Sequence, residues 1–71
     1  MTPQELSASE VRRLTDEWII GRNGERNRKI LKRRLIDGVC FEPLAEEFDL
    51  STRQVKNIVY RGEAKIFRHY K

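Results

Sequence analysis

The run Phe41-Glu42-Pro43-Leu44-Ala45-Glu46-Glu47-Phe48-Asp49-Leu50-Ser51-Thr52-Arg53-Gln54-Val55-Lys56-Asn57 decides how the chain folds. Leu44, Ala45 and Phe48 recur every three to four residues, which turns one side of a short helix inward. Pro43 suits the first turn of that helix, where a missing N–H leaves no bond unmade. Ala45 is small enough to let another helix cross closely. Asp49-Leu50-Ser51 then reads as a tight turn, with Leu50 as its apolar plug. Ser51, or else Thr52, caps the next helix. Val55 faces inward four residues after the cap, and Arg53, Gln54, Lys56 and Asn57 leave a polar, amide-rich outer face.

Working outward, Ile58, Val59, Ile66 and Phe67 carry the same helix on. Gly62 falls on its apolar stripe and either permits close helix contact or kinks or ends the helix. Upstream, residues 25–37 form a helix with Ile30, Leu31 and Leu35 inward, Ile36 at the margin and Gly38 as C-cap. Gly21-Arg22-Asn23-Gly24 is a turn. Before it, Val11, Leu14, Trp18 and Ile19 stripe a first helix. Ser9 caps it, or Ser7 does, since Glu10 stands three residues on as a capping box requires. Gly21 is the expected C-cap. Trp18 and Ile20 add apolar area that so small a domain cannot easily leave exposed.

No strand pattern occurs. The expectation is an all-α fold, a small three- to four-helix domain with helices near 9–20, 25–37, 42–48 and 52–68. Residues 1–71 form a single domain, with 1–24 an N-terminal helix and turn and 25–71 the core. Leu31, Leu35, Leu44, Ala45, Phe48, Leu50, Val55 and Ile58 should be largely buried. The first helix either completes the core or pairs two chains as a homodimer.

Composition narrows the function. At 38% hydrophobic and 37% charged, with four Gly and two Pro, the chain is too apolar for a disordered one. One cysteine excludes an internal disulfide, and one histidine leaves little for metal or general-base chemistry. His69 has no ligand cluster beside it, nothing marks Cys40 as a nucleophile, and Gly21-x-x-Gly24 lacks the lysine and preceding strand of a phosphate loop. No enzyme, metal or cofactor is expected. The chain also lacks a membrane span or signal peptide, so it reads as soluble and cytoplasmic, without a membrane partner.

Charge is unevenly placed. Residues 1–21 carry a net charge of -2, residues 22–37 +5, residues 38–50 -4 and residues 51–71 +5, which sum to +4. Both basic segments also carry helical apolar periodicity, so their charge sits on folded helices. A short helix with a small inward residue, a plugged turn and a capped helix with a polar outer face together make a helix-turn-helix pattern. On that pattern Thr52, Arg53, Gln54 and Asn57 face the DNA major groove. Arg pairs bidentately with guanine, and Gln and Asn do so with adenine. Lys56 and Arg61, with the Arg and Lys of residues 26–34 in the second helix, Arg28, Lys29, Lys32 and Arg33 foremost, are the expected phosphate contacts.

The stretch from Ile30-Leu31-Lys32-Arg33-Arg34-Leu35-Ile36-Asp37-Gly38 through Phe41 to Asn57 resembles region 4 of bacterial sigma factors. There a basic, apolar-striped helix ends in Gly, a Leu-Ala-Glu-Glu helix follows, and a Leu-Ser turn leads to a recognition helix containing Val-Lys. The resemblance covers roughly residues 25–70, about two thirds of the chain. Several response-regulator output domains share a near-identical pattern. The resemblance implies a helical fold, sequence-specific duplex recognition by Thr52, Arg53, Gln54 and Asn57, and no catalysis. Cys40, where the family often has Ser or Thr, and Pro43 depart from it. Seventy-one residues also leave no room for the domain that binds the polymerase clamp, so the resemblance is to a stand-alone region-4-like bacterial regulator.

The leading expectation is therefore a sequence-specific, duplex-DNA-binding transcriptional regulator. The alternative is a protein-interaction module that docks on RNA polymerase or another transcription protein through the acidic third helix. An RNA-binding helical domain is the third reading, weakened by the lack of an aromatic platform for single strands.

Overall fold

Local capping sets where each helix starts and stops. A computed structural model describes residues 6–70; the Thr2-Pro3 start lies outside them. Helix α1 spans Ala8–Trp18, α2 Gly24–Leu35, α3 Phe41–Glu47 and α4 Thr52–His69. No strand occurs among the described residues. Of the two candidate caps of α1, Ser7 serves. Its Oγ accepts from Glu10 N at 3.2 Å, and the Glu10 carboxylate accepts from Ser7 N at 3.4 Å. Ser9 has Arg12 three residues on and cannot close such a pair. Ser51 caps α4 in the same way. Gln54 N donates to Ser51 Oγ at 3.1 Å and Ser51 N donates to Gln54 Oε1 at 2.9 Å.

The turn between α3 and α4 is a Schellman closure. Leu50 N donates to Ala45 O at 2.8 Å and Asp49 N to Glu46 O at 3.3 Å. Asp49 takes the left-handed conformation this closure needs, with φ of 56°. Leu50 then folds back against the core.

The first three helices each end two residues or one residue before the expected limit. α1 stops at Trp18 with Ile19 as its cap residue, while Gly21, at φ of 108°, serves the turn that follows. Arg28 holds that turn in place, its Nη1 donating to Ile19 O at 2.7 Å.

Two apolar clusters fill the interior. The first joins Ile19, Ile30, Leu31, Leu44, Ala45, Val55 and Val59, and so ties α2, α3 and the N-terminal half of α4 together. The second joins Leu6, Val11, Leu14 and Ile66, which seats α1 on the C-terminal half of α4. Leu35 touches both. Trp18 stacks on His69 with ring centroids 3.6 Å apart and planes 5° apart. α4 runs unbroken through Gly62, which is buried against Leu31. Of the two roles open to Gly62 in sequence, close contact is the one the structure uses.

Two burial expectations need correction. Leu35, Phe48, Leu50 and Ile58 are half-buried rather than largely buried. They rim the first cluster, and a domain of this size has too little interior to enclose them. Ile20 is 67% exposed, because α1 ends before it and the turn points it outward.

Candidate functional site

The outer face of α4 begins at its cap. Val55, Val59, Gly62 and Ile66 face the interior. At 100° per residue the opposite side carries Arg53, Asn57, Arg61, Ala64 and Arg68, all exposed. Thr52, at the first position of the helix, is half-exposed. Of the four residues expected to read bases, Arg53 and Asn57 therefore stand one turn apart on a single face. Gln54 is also exposed, but its carbonyl oxygen is engaged in capping α4.

The residues expected to contact phosphate are put to several uses. Lys32 Nζ lies 2.7 Å from Asp16, pairing α2 with α1. Arg33 donates to Glu47 at 2.8 Å, pairing α2 with α3. The Glu47 hydrogen bond and charge hold the Arg33 guanidinium above its ordinary pKa. Arg28 braces the turn after α1. Lys56 Nζ sits 5.7 Å from the centre of the Phe41 ring, which also carries Arg34 at 4.5 Å and lies at 72° to the Tyr60 ring, with centroids 6.1 Å apart. Lys29 is exposed, and Arg61 lines a groove.

That groove encloses about 520 Å³ between the turn after α1, the first turn of α2 and residues 57–68 of α4. Its cations are Arg26, Arg61, Lys65 and Arg68, its carboxamides Asn23, Asn27 and Asn57, and its apolar lining includes Ile19, Leu31 and Ile58. No carboxylate lines it. Glu63, the single acidic residue of α4, is not among the lining side chains. Burial raises the Glu63 carboxyl above its usual range, against the opposing charge of Arg34.

Lys65 and Arg68 were not among the sequence candidates, although Asn57, Arg61 and Lys65 follow one another at four-residue spacing. Arg26 belongs to the expected phosphate contacts of residues 26–34, and the fold of the 19–24 turn brings it opposite α4.

Among the described residues no three His, Cys, Asp or Glu side chains gather as metal ligands, and no helix is long and apolar enough to cross a membrane. Cys40 is an exposed free thiol at the start of α3. Compared with protein-family models, with curated proteins and with solved structures, the chain matches none of them.

Proposed function

We propose that this chain is a sequence-specific duplex-DNA-binding transcriptional regulator of the cytoplasm, in which α3, the 48–51 turn and α4 act as a helix-turn-helix of the sigma region-4 kind. One observation carries the reading: a capped helix, held behind a tight Schellman turn, presents Arg53 and Asn57 on one open face and continues in basic residues. On this reading α4 enters the major groove N-terminus first while α3 crosses the backbone. Arg53 suits the O6 and N7 acceptors of guanine, and Asn57 the N6 and N7 of adenine. Gln54 serves the cap first, and its NH2 group remains to donate to a base or phosphate. Lys29, Lys56 and Arg61 supply sequence-independent attraction. Arg28, Lys32 and Arg33 act through the fold, holding in place the helices that frame α4.

The test is selection of duplex DNA from a random library, followed by titration of the selected sequence. Arg53→Ala should cost roughly 1–3 kcal/mol and relax preference at one base pair. Lack of duplex binding at low salt would end the reading. The exposed acidic face of α3, with Glu42, Glu46 and Glu47, would then favour docking on a basic surface of RNA polymerase, which a pulldown would test.

A further inference from the structure

We infer that the groove between the 19–24 turn and the C-terminal half of α4 holds a phosphodiester strand of the same duplex, through Arg26, Arg61, Lys65 and Arg68. The inference rests on the DNA-binding reading and extends it to a second contact track, which meets the base-reading face at Asn57 and runs on along α4.

Length supports it first. From Arg53 to Arg68 the helix rises about 22 Å at ~1.5 Å per residue. The major groove is only about 12 Å wide. A helix inserted by its N-terminus therefore runs out over the groove edge, where the flanking phosphates lie. The residues at that distance on α4 are Arg61, Lys65 and Arg68.

Charge supports it next. The groove gathers four cations without a carboxylate, in a chain that carries eleven acidic residues. Such a cleft attracts a polyanion, and the neighbouring carboxamides add neutral donors for phosphate oxygens. The wall opposite α4 is also firm. Arg28 bonds to Ile19 O at 2.7 Å, and Gly24 leaves the space in which its guanidinium sits, since a Cβ there would lie 2.9 Å from Arg28 Nη1. Arg26 donates to Asn27 Oδ1 at 3.1 Å, which steadies its head at the groove. Asn57 and Arg61 belong both to the outer face of α4 and to the groove, so the two tracks are continuous.

The experiment compares the wild-type chain, the double variant Lys65→Gln/Arg68→Gln and the charge-matched double variant Arg12→Gln/Arg13→Gln. Both altered pairs are exposed, and the control pair lies on α1 outside the groove. Binding to the selected duplex is titrated against salt. Loss of two phosphate contacts makes the slope of log affinity against log salt shallower by about 1.8. The expected result is that shift for Lys65→Gln/Arg68→Gln, with the selected sequence unchanged and with a smaller shift for Arg12→Gln/Arg13→Gln. An unchanged slope, or one matched by the control pair, overturns the inference. If Arg53→Ala still relaxes base preference in that case, the DNA-binding reading stands without the groove. If the wild-type chain binds no duplex, both fall together.

Discussion

Thr15 carries a hydroxyl that is wholly enclosed and has no hydrogen-bond partner among the described residues. A helical threonine usually satisfies its Oγ on the carbonyl one turn back; here it does not, and the cost of an unbonded buried hydroxyl falls on α1. Thr15→Val keeps the shape and removes the unmet group. Its unfolding midpoint in urea should rise, by a gain of about 1 kcal/mol. An unchanged midpoint would mean that the hydroxyl is satisfied in solution. Asp49 is the contrasting residue. It is the one non-glycine with positive φ among the described residues, a conformation that costs a side chain about 1–2 kcal/mol, and two backbone bonds of the α3–α4 turn offset it. Strain at Asp49 is the condition for a short turn; the buried hydroxyl at Thr15 serves no visible end.

At the scale of elements, the crossing of α2 over α4 turns on one missing methyl group. A Cβ on Gly62 would fall 2.6 Å from Leu31 Cδ2 and 3.0 Å from its Cγ, so the fully buried Leu31 side chain would have to shift. Gly62→Ala should gain about 1 kcal/mol of helix propensity and lose more, about 1–3 kcal/mol, to overpacking. Net destabilisation is expected in chemical denaturation. The Gly62→Ala/Leu31→Ala pair should be less damaging than the sum of the singles, because the second change opens the space the first one needs. This crossing also marks how far sequence could be read. Periodicity was enough to separate the four helices and to put Leu31 and Val55 inside, because those features repeat within one element. The choice between contact and kink at Gly62 depended on a neighbour thirty-one positions away, which no local pattern encodes. Ser51-x-x-Gln54 has the same capping signature as Ser7-x-x-Glu10, yet Gln54 was read as a base contact. A polar side chain near a helix start serves either purpose, and only its geometry assigns it. The lysines and arginines of α4 are legible as a basic face, whereas the groove they share with Arg26 arises from a folded turn.

For the whole molecule, the two apolar clusters bear on self-association. The stripe of α1 that offered itself for pairing two chains packs Val11 and Leu14 against Ile66 of the same chain. Among the described residues the large exposed apolar side chains are Ile20 and Tyr60, too few for an extended association patch. Sedimentation at micromolar concentration should therefore give a mass near 8.5 kDa; twice that mass would show that these residues suffice to join two copies. The clusters also divide α4: α2 and α3 hold its first half, and beyond Gly62, which packs on Leu31 of α2, α1 seats on its last turns. Loosening of the second half need not unfold the first. Trp18, the one tryptophan in the chain, lies face to face with His69 at the seam that would open. Its fluorescence is thus an intrinsic clock for the departure of α1 from the end of α4. Stopped-flow emission, set beside far-ultraviolet ellipticity, would time that seam separately from the melting of the helices.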